Sequence, residues 1–116
     1  MNKITILSLS LGVILIASFL TLTTNTNSSR ELKKSEIDTA INQAGLLYNL
    51  SKQQGVDLSS GPCLSNALLP GWVLDIAHNP RQEIDDLPQN QCPAFREGNA
   101  QHFVELDSEG NLIRAK

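Results

Sequence analysis

Ser35–Gly55 reads SEIDTAINQAGLLYNLSKQQG, and the way this stretch folds governs what the rest of the chain must do. Ile37, Ile41, Ala44, Leu47, Tyr48 and Ser51 follow i, i+4, i+7 spacing, which lines up one face of a helix. Ser28-Ser29-Arg30-Glu31 fits a capping box, in which a hydroxyl and a carboxylate satisfy the free amides of a helix start. Ser35–Asp38 offers a second start one turn later. Gly55 stands where a left-handed residue closes a helix. The pattern predicts an amphipathic helix over about 30–54 that must bury its apolar stripe against another layer.

On the N-terminal side the chain carries no charge between Lys3 and Arg30. Ile4–Leu22 is ITILSLSLGVILIASFLTL; as a helix, Ile4–Thr24 would be about 30 Å long, the thickness of a bilayer's hydrocarbon core. The run is longer than a cleaved signal's apolar region, and TLTTNTNSS after it lacks a small-x-small cleavage site. The expectation is a cytoplasmic tip over 1–3, a transmembrane anchor or uncleaved signal over 4–24, a juxtamembrane linker over 25–29, and one small extracytoplasmic domain over 30–116. Cleavage would make that domain secreted. Lys3 favours an inside N-terminus, Arg30, Lys33 and Lys34 the reverse, and the paired cysteines place the C-terminal domain outside.

The remainder holds eight Lys/Arg against twelve Asp/Glu, a net of −4. With no basic stripe and no interleaved aromatics, nothing in it attracts a phosphate backbone, so nucleic acid is not an expected partner. Tyr48, Trp72, Phe95 and Phe103 are its only aromatics. A core that thin calls for a covalent staple, and Cys63 and Cys92, each beside a proline, supply the pair. Closing a loop of about 30 residues is worth roughly 3–4 kcal/mol on the chain-entropy model.

Beyond Asp57 the signals are those of strands and turns. Leu64–Leu69 reads as a short helical turn before Pro70-Gly71. Trp72–His78 alternates, with Trp72, Leu74 and Ile76 on one face, and Asn79-Pro80 closes it. Cys92–Arg96, Gln101–Leu106 and Asn111–Ala115 are three further strand candidates, separated by glycine-bearing turns of hairpin length. The predicted fold class is α+β: the anchor, then an amphipathic helix on a four-stranded antiparallel meander that carries Trp72, Leu74, Phe103 and Leu106, with one disulfide.

No constellation of reactive groups stands out. Asp75, His78 and His102 are the nearest to one, but Asp75 and His78 lie three apart on a predicted strand and so face opposite ways. Glu83, Asp85 and Asp86, together with Asp107–Asn111, could lend oxygens to calcium, although the D-x-D-x-D-G spacing is missing. Trp72 and Phe103 read as core side chains. Asn27-Ser28-Ser29 and Asn49-Leu50-Ser51 match the N-glycosylation pattern. The expectation is a chain without catalytic, cofactor or metal residues, whose contact surface is Arg81, Glu83, Asp85 and Asp86 on the loop pinned by Cys63 and Cys92.

The order of parts, an apolar N-terminal run, an amphipathic helix, a cysteine-pinned loop and a small sheet, resembles that of type IV pilins and secretion pseudopilins. Leu69-Pro70-Gly71-Trp72-Val73-Leu74-Asp75-Ile76 through Asn79-Pro80 is similar to the stretch leading into the sheet of such proteins. Ile4–Ser29 has neither the short basic leader ending in Gly nor the glutamate of the family's processing motif, so no functional residue is carried over. The resemblance implies a non-enzymatic role in assembly, acting at a membrane through protein partners or self-association. The alternative is a small anchored or secreted ion- or ligand-binding module that uses the acidic loops.

Overall fold

The computed structural model describes residues 33–116. The run Ile4–Thr24, the linker Asn25–Ser29, the first capping box and the Asn27 sequon lie outside the described residues. Among the described residues no helix is long and apolar enough to cross a membrane. The chain divides after Ser35, and residues 36–116 form one compact unit.

Helix α1 occupies 33–53. Its end follows from Gly55 at φ +74°. There the Gly55 N–H donates to the Lys52 carbonyl at 3.1 Å and the Val56 N–H to the Ser51 carbonyl at 3.0 Å, the paired bonds of a left-handed helix cap. The buried stripe shares Ala44, Tyr48 and Ser51 with the predicted one, but its fourth buried member is Ala40, which the spacing does not include, while Ile37, Ile41 and Leu47 are only half-buried.

The sheet is built from β1 (Cys63–Leu69), β2 (Trp72–Ile76), β3 (His102–Leu106) and β4 (Leu112–Ala115), side by side in that order. Two expectations are corrected here. The segment 64–69 is a strand, not a helical turn, and Pro70-Gly71 turns it antiparallel onto β2, with Gly71 at φ +79° and Leu69 opposite Trp72. Cys92–Arg96 is not a strand. Pro93–Arg96 forms α2, a single helical turn, because proline at the first helical position is already fixed at a helical φ.

The sheet is therefore mixed rather than an antiparallel meander. β2 and β3 pair in parallel, with Trp72, Val73, Leu74, Asp75 and Ile76 opposite His102, Phe103, Val104, Glu105 and Leu106. β3 and β4 are antiparallel. A parallel pair cannot be closed by a tight turn; the chain must first return to the end where β2 began. Residues 77–101 make that return, through short 3₁₀ turns at Glu83–Asp86 and Pro88–Asn90, then α2. The Asn79–Pro80 bond is cis.

Strand alternation then sorts the side chains. Trp72, Leu74, Ile76, Val104 and Leu106 join Ala40, Ala44, Tyr48 and Leu58 in the main core between helix and sheet. Val73, Phe103, Cys92 and Ala100 form a smaller core on the other face. Phe103 is thus not on the helix side, because it stands three residues from Leu106. The Cys63–Cys92 disulfide ties β1 to the crossover.

Two hydrogen bonds register the helix on the sheet. Trp72 Nε1 donates to Glu36 Oε1 at 2.8 Å, and Tyr48 Oη to the Ser108 carbonyl at 2.9 Å in the β3–β4 turn. Trp72 is buried and stacked on His102 at 4.8 Å, so it is a core residue. Gly110, at φ +88°, lies under the Tyr48 ring; a Cβ there would come within 2.9 Å or less of three ring atoms. Gly110→Ala should lower unfolding stability by about 1–3 kcal/mol through combined backbone strain and overpacking. Urea unfolding measures it, and a change below about 0.5 kcal/mol would mean that the turn does not carry the helix.

Candidate functional site

The second face of the sheet, under the crossover, holds the polar chemistry. In-register parallel pairing sets Asp75 on β2 beside Glu105 on β3, both facing away from α1. Glu105 is buried, and two arginines reach it. Arg81 Nη1 donates to Glu105 Oε2 at 3.2 Å, and Arg114 Nε lies 3.4 Å from Oε1. Arg81 also meets Asp86 Oδ1 through Nε and Nη2, both at 2.9 Å. Asp75 is half-buried and its Oδ1 is buried with no hydrogen-bond partner among the described residues. Burial first, then the neighbouring Glu105 charge, pushes its pKa up to about 7 against the opposing pull of Arg81.

These groups line a cleft of about 350 Å³. Val73, Cys92 and Phe103 complete its interior, and Phe95, Arg96 and Gln91 come from the crossover. Phe95 meets Phe103 edge-on, with centroids 5.2 Å apart and planes at 80°. The Arg114 guanidinium stands over the Phe103 ring at 5.2 Å and the Lys116 ammonium at 6.0 Å.

The crossover is fixed at its start by Asp85. This carboxylate is 1 % exposed. It accepts from His78 Nδ1 at 2.8 Å, the His78 N–H at 3.1 Å and the Gln82 N–H at 2.8 Å. Burial raises its pKa, but the Gln82 and His78 donors outweigh that and hold it below the usual carboxylate value. A Cβ on Gly61, which sits at φ +69°, would collide with the same carboxylate. Asn90, also buried, donates from Nδ2 to the Ile84 carbonyl at 2.9 Å.

The residues singled out from sequence are therefore dispersed. Of the expected contact set, Arg81, Glu83 and Asp86 are exposed, but Asp85 is an interior pin and not surface. His78 belongs to that pin. His102 stacks on Trp72 at the start of β3, at the opposite end of the parallel pair, so Asp75, His78 and His102 do not converge. Burial raises Asp107, yet the Asn111 backbone and side chain and the Glu109 and Gly110 N–H groups hold its pKa low. Its Oδ1 closes the turn by accepting from the Asn111 N–H at 2.8 Å. Among the described residues no group of three or more His, Cys, Asp or Glu side chains is placed to hold a metal.

Sequence reasoning passed over Glu105, Phe95, Arg96 and Arg114. Glu105 had a readable signal: in FVEL it takes the parity of Phe103, so a strand that buries Phe103 buries a carboxylate too. Comparison with protein-family models, with curated proteins and with solved structures finds no match for this chain.

The two aspartates give opposite pH dependences. Asp85, with its pKa lowered in the fold, adds stability above the unfolded value that is lost as pH falls through the lower folded one. Asp75, with its pKa raised, binds a proton more tightly folded than unfolded, so it favours the fold at acid pH and that contribution disappears between about 4 and about 7. Asp75→Asn should therefore stabilise the protein more at pH 8 than at pH 4.5. The difference should be about 1–2 kcal/mol once solvent screening of a half-buried group is allowed for. Urea unfolding at the two pH values measures it; an equal effect at both would remove Asp75 from the pH response.

Proposed function

We infer that this chain is a non-enzymatic, envelope-exposed domain that works by protein–protein contact, in a structural or assembly role of the pilin or pseudopilin kind. The observation that carries the reading is Phe95: a large aromatic left 43 % exposed beside the exposed Arg96, on a turn stapled to the sheet by Cys92. An exposed aromatic next to an arginine on a rigid support is the composition of an interface anchor. The uncharged run Ile4–Thr24 and the paired cysteines support a site of action at or beyond a membrane. The acidic side chains 83–86 and 107 serve local structure or face solvent in separate loops, which gives the ion-binding alternative little to stand on.

The proposed contact surface moves accordingly from Arg81, Glu83, Asp85 and Asp86 to the α2 turn and cleft rim. A photo-crosslinking residue at position 95 of the full chain in its native membranes should give a discrete adduct. Arg96→Glu should abolish that adduct without changing the melting temperature by more than about 2 °C. An adduct pattern unaffected by Arg96→Glu, with equal yield from a probe at Leu46 on α1, would contradict the reading.

A further inference from the structure

The cleft has an uneven charge distribution that specifies an occupant. Arg81 is neutralised on both sides, by Asp86 and by Glu105. Arg114 meets Glu105 through Nε at 3.4 Å and is itself exposed. Arg96 and Lys116 have no acidic partner among the described residues. Arg96, Arg114 and Lys116 thus form a cationic rim on a chain whose net charge is −3. Beneath the rim lie the near-perpendicular Phe95 and Phe103 rings, and on the floor Asp75 Oδ1, an acceptor with no donor among the described residues. At about 350 Å³ the cleft falls at the small end of ligand-sized pockets.

We propose that this cleft docks a short segment of a protein partner presenting one large apolar side chain flanked by carboxylates. The apolar group packs on Phe95, the carboxylates meet Arg96, Arg114 and Lys116, and a backbone N–H of the segment donates to Asp75 Oδ1. A cationic occupant is disfavoured, because Arg81 and Arg114 already hold the Glu105 carboxylate and the Phe103 ring already carries Arg114 and Lys116. The proposal rests on the contact reading above and adds the chemistry of the partner.

The test uses the full chain, isotope-labelled in neutral detergent micelles, titrated with 3-phenylpropionate, 3-phenylpropanamide and phenethylammonium. These share a ring and differ in charge, and fragments of this size bind in about the millimolar range. Backbone amide shifts at Phe95, Phe103 and Arg114 should report 3-phenylpropionate binding roughly three- to tenfold tighter than the amide, with phenethylammonium weakest. The double variant Arg96→Glu with Lys116→Glu, both surface positions, should erase that order while the amide's weak binding persists. No shifts with any probe, equal affinities, or phenethylammonium binding best would overturn the proposal. So would larger shifts of the same amides with phosphatidylglycerol vesicles, which would assign the rim to lipid. If the position-95 adduct still depends on Arg96 while the fragment order fails, the contact reading stands and this chemistry falls. If the order holds and no adduct forms, the contact reading falls instead.

Discussion

The parallel pairing of Trp72–Ile76 with His102–Leu106 is the constraint from which the second face of the domain follows. Antiparallel neighbours can be joined by two residues, but a parallel pair obliges the chain to travel back along the sheet. Residues 77–101 do so over the face that α1 leaves open. Their backbone is short in regular structure, so side chains and a covalent bond fix its course. Asp85 gathers His78 and Gln82 at the start, Asn90 holds the middle, and the Cys63–Cys92 bridge clamps the end onto β1. Ala94 N–H adds a bond to Asn66 Oδ1 at 2.8 Å, which seats α2 against the edge strand.

The same register sets the electrostatics. Two carboxylates opposite one another on adjacent parallel strands repel, and burial makes that worse. Glu105 is stabilised by Arg81, from the crossover, and Arg114, from β4. Asp75 has no ion-pair partner among the described residues, and burial followed by the Glu105 charge raises its pKa to about 7. An apolar residue at 75 would be more stable, since a half-buried carboxylate with one oxygen unpartnered among the described residues is costly. The place of Asp75 beside exposed Phe95 and Arg96 distinguishes this face from the apolar core under α1.

How far the sequence reached depended on whether a local pattern or a distant partner made the decision. The helix was legible because its stripe and its Gly55 cap are local, and the bridge because two cysteines leave one pairing. Strand β2 is legible by alternation, and β3 and β4 as short segments set off by glycine-bearing turns. The segment 64–69 misled because LSNALL does not alternate cleanly, and its strand state is set by pairing with β2 and by bulges in that ladder. Strand order was out of reach: short apolar segments joined by glycine turns suit a meander equally well, and only the 25-residue span between β2 and β3 hinted at a crossover. The site suffered most. Phe95 and Arg96 looked like strand residues, and Asp85 looked like surface because its donors, His78 and Gln82, are brought to it by the turn that it helps to form.

The crossover is a distinct layer over the sheet, held there by the Asp85 pin and the disulfide. Hydrogen exchange on the reduced full chain, compared with the oxidised protein, tests it most directly. Reduction should speed exchange at the amides of 92–100 more than at Leu74, Ile76, Val104 and Leu106, which the main core protects. Loss of protection across both regions together would contradict it, because the bridge would then be holding the whole domain rather than the layer that carries the site.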